Sequence, residues 1–353
     1  MLWSLNMYHQ FRGEMHTSLE ISYQLMQLAE ALKDDALIME AHRSLGAVLN
    51  LVGRCSEALE HLEKGKALCA THHDGRNSVF VNFDSEVMFE CFAALSLLPL
   101  GYPDQSGGHL AAALARAREL GHPQTLVVAL HMAAQLHHLR GEAPPVRVFA
   151  TEAMELADEY GMAVWVAYGL IELGWAEAEL GDAESGIEKM QRGLAGYEAT
   201  GAKLRSPYFL GLLADQLRKA GRLEEGLAVI TKALTLAEDT GEGFAVSELH
   251  RIKGELFVKS ADLVAVGKFP GDQPAVSARS QARACFAEAL AIAKQQGTRW
   301  LELRAAMSMD RLEMKRGNSK HTQLAEIYSS FTEGFETADL RQAKAQLDTA
   351  LAS

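Results

Sequence analysis

The sequence is poor in residues that interrupt helices and in segments that could enter a membrane. It has only 8 prolines among 353 residues and few runs of β-branched residues, so it favours helix over sheet. Its longest apolar runs fall far short of the roughly 20 residues that a membrane-spanning helix needs. Its net charge of −12 argues against non-specific binding to nucleic acid, which requires a positive surface.

Cysteine is scarce as well. The four cysteines, Cys55, Cys69, Cys91 and Cys285, form no Cys-x-x-Cys pair, and the chain shows no secretory signal. We therefore expect free thiols in a reduced, soluble, cytoplasmic protein. The thiols themselves are interpreted as small buried hydrophobic groups.

The motifs of common enzymes are also missing. The sequence contains no HExxH, GxSxG or GxGxxG string and no GxxxxGK[ST] phosphate loop. His72, His73 and Asp74 could ligate a metal, but a polar loop is the simpler interpretation of these residues. The sequence therefore predicts a protein that is not an enzyme and that uses no cofactor and no metal.

What the sequence does contain is glycine at a fixed period. Gly13 and Gly53 are 40 residues apart, and two interleaved series repeat the same step. The members of these series are Gly101, Gly141, Gly181 and Gly221, and Gly121, Gly161, Gly201 and Gly241. Such a period is typical of a solenoid of stacked units. Glycine just past a helix end adopts the left-handed conformation at low cost, so each unit is predicted to be a hairpin of helix A, turn and helix B.

Small residues recur inside the predicted helices, at matched distances from each turn between helix A and helix B. Gly46 and Gly174 lie seven residues before their turns and Gly65 and Gly193 twelve residues after them, where three other units carry alanine. Glycine inside a helix costs about 1 kcal/mol relative to alanine, so these positions indicate close helix packing. Because alanine occupies the equivalent site elsewhere, we expect Gly193→Ala to be tolerated and Gly193→Leu to destabilise the fold.

This arrangement resembles the tetratricopeptide repeat. The match is clearest where Gly174, Gly181, Asp182, Gly186 and Gly193 stand at that family's spacing. The usual unit has 34 residues, and both helices are longer here. The resemblance implies an all-α, TPR-like α-solenoid, a right-handed superhelix of helical hairpins with a period of about 40 residues.

The C-terminal half resembles a more specific group, the C-terminal repeats of bacterial cyclases and maltose-regulator-like signal-transduction ATPases. The similarity lies in residues 206–215, 222–242, 247–257, 282–312 and 326–348. It implies a regulatory region of a bacterial signalling ATPase or cyclase. The upstream ATPase domain would then be a possible partner of this chain.

The spacing also predicts the domain organisation. We expect one solenoid over residues 1–353, with insertions at 71–78 and 262–277, a turn near Gly317 and a C-terminal capping helix at 336–353. At the N-terminal end, an apolar face is predicted to be covered by another segment, which suggests a chain cut from a longer one. Its residues are Trp3, Leu5, Met7, Tyr8 and Phe11.

The candidate binding residues come from the inner helix-A positions of the repeat family. The resemblance places these side chains on a concave groove, and Tyr, Trp, Arg and His there are typical of binding hot spots. They are Arg43, Asn50, His131, Gln135, His138, Tyr168, Trp175, Tyr208, Asp215, Arg218, Arg251 and Arg304. We predict a protein or peptide partner in this groove, and neither nucleic acid nor membrane. Packing between helices is an equal alternative for Trp175 and Tyr168, and self-association or inter-domain assembly is the alternative function.

Overall fold

The computed structural model describes residues 2–71, 83–265, 275–314 and 321–351. Regular structure within these ranges consists of seventeen α-helices and no strand. The helices are α1 (Leu2–Phe11), α2 (Met15–Leu32), α3 (Asp35–Leu51), α4 (Cys55–Thr71), α5 (Ser85–Leu100), α6 (Pro103–Leu120), α7 (Pro123–Leu139), α8 (Ala143–Glu159), α9 (Ala163–Glu179), α10 (Ala183–Ala199), α11 (Ser206–Lys219), α12 (Leu223–Thr240), α13 (Val246–Ala265), α14 (Ala275–Gln296), α15 (Arg299–Met314), α16 (Thr322–Ser329) and α17 (Ala338–Leu351).

Successive helices pack as hairpins, and the hairpins pack on one another. The pairs α3–α4, α7–α8, α9–α10 and α13–α14 are in extensive contact, and α8 also packs on α9. In the numbering of the repeat, α1, α3, α5, α7, α9 and α11 are the A helices that precede the turn glycines. The fold is the expected all-α, TPR-like α-solenoid type.

The turn glycines adopt the predicted conformation. All ten have positive φ, from 61° at Gly121 to 114° at Gly181. At Gly181 the backbone ends helix α9 as expected, because the N–H of Asp182 donates back to the carbonyl of Glu177 at 3.0 Å. The prediction that a glycine in the left-handed conformation follows each helix end is confirmed at these positions.

The hairpin α9–α10 is packed backbone to backbone. A Cβ added to Gly174 would lie 2.6 Å from the carbonyl oxygen of Gly186. A Cβ added to Gly193 would lie 2.9 Å from the carbonyl oxygen of Ala167 and 2.9 Å from the backbone nitrogen of Ile171. The expectation that Gly193→Ala is tolerated is therefore wrong. Alanine at the equivalent site of other hairpins did not reveal how closely the backbone of α9 approaches Gly193 of α10.

The described chain divides into two compact units. Unit 1 consists of Met1–Leu98, Pro103–Ser206 and Asp239–Phe244, and unit 2 of Pro99–Tyr102, Pro207–Glu238 and Ala245–Ser353. The segment Asp239–Phe244 joins unit 1 by hydrogen bonds, since the N–H groups of Gly243 and Phe244 both donate to the carbonyl of Leu51 at 3.1 Å. A single solenoid over residues 1–353 remains a prediction.

The predicted insertions and cap are partly visible. Helix α13 extends to Ala265 and α14 begins at Ala275, so both ends of the loop predicted at 262–277 are helical. The C-terminal helix α17 lies inside the predicted cap at 336–353. Residues 72–78, with His72, His73 and Asp74, and Gly317 lie outside the described residues.

The described residues also bear on membrane insertion, metal binding and the state of the cysteines. No helix in the described ranges is long and apolar enough to cross a membrane. Among the same residues, no group of three or more His, Cys, Asp and Glu side chains is placed to hold a metal ion. All four cysteines are free thiols; Cys55, Cys69 and Cys91 are buried as expected, whereas Cys285 is only partly buried.

Candidate binding pocket

Unit 1 contains a pocket between its A helices. Side chains from α1, α3, α5, α7 and α9 line it, together with Phe83 before α5, Tyr197 of α10 and the turn residues Leu204 and Arg205. Its empty space is about 860 Å³, including the part that opens to solvent.

Helix α1 forms one wall of this pocket. Trp3, Met7 and Phe11 line the cavity, whereas Leu5 and Tyr8 are 42% and 57% exposed. The five apolar residues of α1 therefore do not form a single face, as the sequence suggested. Trp3, Met7 and Phe11 contribute to the pocket wall, whereas Leu5 and Tyr8 are exposed to solvent.

Polar contacts hold α1 in place. The side chain of Asn6 is buried, and its Nδ2 donates to Oγ of Ser22 at 2.7 Å and also to Ser44. At the end of the helix, the carbonyl of Phe11 accepts a hydrogen bond from the N–H of Lys203 at 2.7 Å. Buried polar side chains are stable only when they are hydrogen-bonded, so these contacts fix the position of α1 in unit 1.

An aromatic cluster forms another part of the pocket wall. The ring of His131 stacks on Trp165 with 5.5 Å between centroids and lies 4.6 Å from the ring of Tyr168. Phe11 meets Trp165 edge to face at 6.3 Å, so the cluster continues into α1. Helix α7 supplies His131, and α9 supplies Trp165 and Tyr168 three residues apart, on one face of the helix.

The His131 side chain is also paired with a buried carboxyl group. Its Nδ1 lies 2.8 Å from Oε2 of Glu172, and the two residues are only 1% and 2% exposed. Burial raises the pKa of Glu172, and the neighbouring His131 opposes that shift. The other nitrogen of His131, Nε2, has no hydrogen-bond partner within the described residues. His131 therefore keeps one buried nitrogen without a hydrogen bond in the wall of the pocket.

A second polar group of the wall is Arg43 of α3. Its Nε donates to Oε2 of Glu40 at 2.8 Å, and its guanidinium carbon lies 5.4 Å from the centre of the Trp3 ring. Only 6% of Arg43 is exposed, yet its Nη2 has no partner in the part of the chain that the structure describes. Leaving a buried charged donor unpaired typically costs 1–3 kcal/mol or more.

The third polar group is Arg205, which the sequence reasoning missed. Its φ is 60°, a left-handed conformation that is uncommon outside glycine and that clusters at functional sites. Its N–H donates to both carboxylate oxygens of Glu242, at 3.0 and 3.1 Å, and its guanidinium lies 5.8 Å from the ring of Phe244. Nη1 of this buried side chain is unpaired among the described residues.

Glu242 is a titrating neighbour of Arg205. Burial raises the pKa of Glu242 to about 7, even though the nearby Arg205 acts to lower it. A fraction of this carboxyl group is therefore protonated at neutral pH. The positive charge of Arg205 is therefore only partly balanced by Glu242, and this imbalance affects which charge a ligand in the pocket must carry.

The structure separates the candidate residues of unit 1 into two groups. Arg43, His131 and Tyr168 line the pocket. The others are packed elsewhere between helices: Asn50 donates to Oγ of Ser96 at 3.0 Å, Gln135 is fully buried, and the rings of His138 and Trp175 meet edge to face at 4.5 Å. No signal in the repeat pattern indicated Arg205, because it lies in a turn and not on helix A.

The candidate residues of unit 2 lie in or beside a network of ion pairs. Arg218 donates to Asp215 at 2.8 Å, Arg251 to Glu248 at 2.6 Å and Arg304 to Asp339 at 2.7 Å. We call this set, completed by Glu255 and Arg311, the charged network. Tyr208 is buried on the same helix as Asp215.

Glu248 is the hub of the charged network, because it contacts both Arg251 and Arg304, at 2.6 and 3.3 Å. Burial acts to raise the pKa of Glu248, but the two guanidinium groups outweigh burial and lower it to about 2. Glu248 is therefore ionised at neutral pH, and each of these arginines has a carboxylate partner inside unit 2. In unit 1, Arg43 also has a carboxylate partner, Glu40, whereas Glu242 accepts from the backbone N–H of Arg205.

Comparison with known proteins identifies the fold and one longer relative. No protein-family model matches the chain. The uncharacterized protein R02095 of Rhizobium meliloti (strain 1021) is 25% identical over 225 residues, which are 64% of this chain and 22% of that protein. The chain therefore spans only about a fifth of the length of this relative.

Several solved structures share the fold. The Rap conjugation gene regulator of plasmid pLS20, solved in complex with the Phr* peptide, has a TM-score of 0.56, with 99% of this chain and 95% of that chain covered at 12% identity. NprR in complex with its cognate peptide NprX has the same TM-score and identity, with 99% and 96% covered. The apo form of RapI has a TM-score of 0.51, with 88% and 99% covered at 12% identity. These likenesses place the chain among TPR-like helical repeat structures.

Proposed function

We propose that this chain is a non-catalytic regulatory scaffold that binds a short peptide or a small organic ligand in the pocket of unit 1. The observation that carries the proposal is the pocket itself, in which aromatic walls surround buried guanidinium and imidazole groups with unused hydrogen-bonding atoms. Unpaired buried donors weaken a fold, and a ligand that pairs with them recovers that free energy. Two proteins of the same fold were solved with peptides bound, which supports a peptide as one class of ligand.

We further propose that the scaffold works within a longer bacterial signalling protein. The resemblance of residues 206–348 to the C-terminal repeats of signalling ATPases and cyclases motivates this context, and the much longer relative supports it. A cytoplasmic ATPase or cyclase domain of the same protein would then be the partner whose activity changes when a ligand binds in the pocket. Expressing the gene's full product and measuring nucleotide hydrolysis with and without a pocket ligand tests this context.

A second candidate function is self-association through the first hairpin. Its helices α1 and α2 carry a concentration of exposed large apolar side chains, namely Leu5, Tyr8, Tyr23, Leu28 and Leu32. Exposed apolar patches often mark protein–protein contacts. Sedimentation of the protein and of its Leu28→Glu, Leu32→Glu double variant distinguishes the cases: a dimer that the variant abolishes favours assembly, and a monomer at high concentration rejects it.

The pocket proposal is tested by ligand selection. A library of random pentapeptides and of small organic acids is screened by calorimetry against the full chain, and the hits are measured on two tryptophan variants. Trp165→Ala removes a pocket wall and should weaken the hits at least tenfold. Trp175→Ala, on the same helix but outside the pocket, should leave them within about twofold. If Trp175→Ala weakens binding and Trp165→Ala does not, the groove predicted from sequence, and not the pocket, is the site.

A further inference from the structure

The pocket also indicates the chemistry of its ligand. Resting on the proposed function of this pocket, we infer that the ligand is a monoanionic carboxylate carried on an apolar, preferably aromatic, body. The inference goes beyond binding as such, because it assigns a charge, a functional group and a set of recognising side chains. Arg43 and Arg205 bind the carboxylate, and the aromatic walls hold the body.

The case for an anion rests on the two arginines. Arg43 and Arg205 both line the pocket, and each is only 6% exposed. Each also keeps one terminal guanidinium nitrogen without a hydrogen-bond partner in the described ranges. A guanidinium group presents paired donors that match the two oxygens of a carboxylate. His131, whose Nε2 is likewise unused, adds a third donor or acceptor at the same wall.

The surrounding carboxyl groups set the charge of the ligand. Glu40 neutralises Arg43 through a contact of 2.8 Å, so that pair carries no net charge. Glu242 accepts from the backbone N–H of Arg205, and burial raises the pKa of Glu242 to about 7, so this carboxyl group only partly compensates the Arg205 guanidinium. Part of one positive charge is therefore left uncompensated at Arg205. A single carboxylate matches it, whereas a dianionic phosphate would be repelled by Glu40 and by the ionised fraction of Glu242.

The case for an apolar body rests on the rest of the lining. Apart from the polar groups already described, the walls are mainly aromatic and aliphatic, with Phe83, Phe92, Val128 and Trp165 among them. An aromatic ring of a ligand would bury apolar surface in this pocket and would also be attracted by the aromatic side chains of its walls. The polar groups of an acid without an apolar body would lose their hydrogen bonds to water against these walls and would gain none in return.

Two ligands share this chemistry: a free aromatic acid, and the C-terminal residue of a peptide that ends in an aromatic side chain. The test therefore uses matched pairs on the full chain. N-acetyl-phenylalanine is compared with N-acetyl-phenylalanine amide, and the pentapeptide AAAAF with its C-terminal amide. Phenyl phosphate serves as the dianionic counterpart. Calorimetry at pH 7 measures each affinity.

We expect at least one acid to bind at least tenfold more tightly than its amide, and phenyl phosphate to bind more weakly than the acid. The pair with the larger acid-to-amide ratio identifies the source of the ligand. Arg205→Gln should abolish the preference for the acid, and Arg205→Lys, which keeps the charge, should retain part of it. Arg43→Gln should act like Arg205→Gln, and Arg222→Gln, at a partly exposed position outside the pocket, is the control that should leave ligand affinity unchanged.

Amides that bind as tightly as the acids would overturn the inference, and so would a preference for the acid that survives in Arg205→Gln and Arg43→Gln. Failure of both acids to bind would also overturn it. The proposed function would still stand if the library screen yields neutral ligands that depend on Trp165. Melting curves of the arginine variants separate a lost contact from a lost fold.

Discussion

The pocket of unit 1 and the charged network of unit 2 differ in how their arginines are paired. Arg43 of α3 and Arg205 of a turn line the pocket, whereas Arg251 of α13 and Arg304 of α15 belong to the network. In the network, Arg251 and Arg304 share Glu248, and Arg304 also donates to Asp339. In the pocket, Arg43 and Arg205 keep terminal nitrogens without partners among the described residues. One repeat geometry can thus yield a self-satisfied structural network or an unsatisfied binding site.

This difference has an energetic consequence. A network whose charges are paired within the chain contributes to stability only while every partner is present, because removing one partner strands the others. In a pocket with unpaired donors, the unpaired groups lower the stability of the fold, and a ligand that pairs with them restores it. Substitutions in the two regions should therefore have opposite signatures: loss of fold in unit 2 and loss of ligand binding in unit 1.

The largest effect is expected from Glu248→Ala in the charged network. The substitution leaves Arg251 and Arg304 without their shared carboxylate, and breaking a largely buried pair costs roughly 4 kcal/mol. Urea unfolding should show this loss in the transition of unit 2, while ligand affinity of the pocket stays unchanged. A loss under 1 kcal/mol would mean that the network is solvated and contributes little.

The next effect is a dependence of stability on pH that Glu242 introduces. Its pKa is raised to about 7 in the folded protein, so the stabilisation of the protonated form is present below the unfolded value near pH 4.5 and is lost as pH rises through 7. That shift corresponds to about 3 kcal/mol. Glu242→Gln should flatten the dependence between pH 5 and 8. An unchanged pH profile in the variant would show that another group causes it.

A smaller effect is expected from Gly193→Ala in the hairpin α9–α10, which carries Trp165 and Tyr168. The added methyl group would press on the backbone of Ala167 and Ile171, and overpacking of this kind typically costs about 2 kcal/mol. Thermal melts should show the loss. Ala153→Gly at the equivalent site of α8 is the control, and its cost should stay near 1 kcal/mol, from helix propensity alone. Equal and small losses in both variants would contradict the close packing.

The smallest effect distinguishes the two kinds of arginine. Arg205→Gly relieves a positive φ and should leave stability unchanged or raise it by about 0.5–1 kcal/mol. The same variant should abolish the preference for acids over amides in the pocket. Arg304→Gln, in contrast, should destabilise the protein without affecting ligands. If Arg205→Gly destabilises as much as Arg304→Gln, the pocket arginine is structural.

The sequence predicted the fold well because its signals are local. A turn glycine at a helix end needs positive φ whatever surrounds it, and the ten glycines at the 40-residue spacing all have it. Of the residues predicted to line a binding groove, Arg43, His131 and Tyr168 line the pocket, and their role in binding stays a prediction. What the period could not supply were contacts between distant segments. Arg205 in a turn and Glu242 in the segment that returns to α3 carry no repeat signal, and the placement of α1 depends on Asn6 meeting Ser22 and Ser44.

Hydrogen–deuterium exchange on the full chain, with and without a ligand selected by the screen, tests the central claim most directly. The account predicts that the ligand slows exchange in α1, α7, α9 and the segment around Arg205, and leaves α13 and α15 unchanged. Protection confined to α11, α13 and α15, with no change in α1 or α9, would contradict it and move the binding site to the charged network.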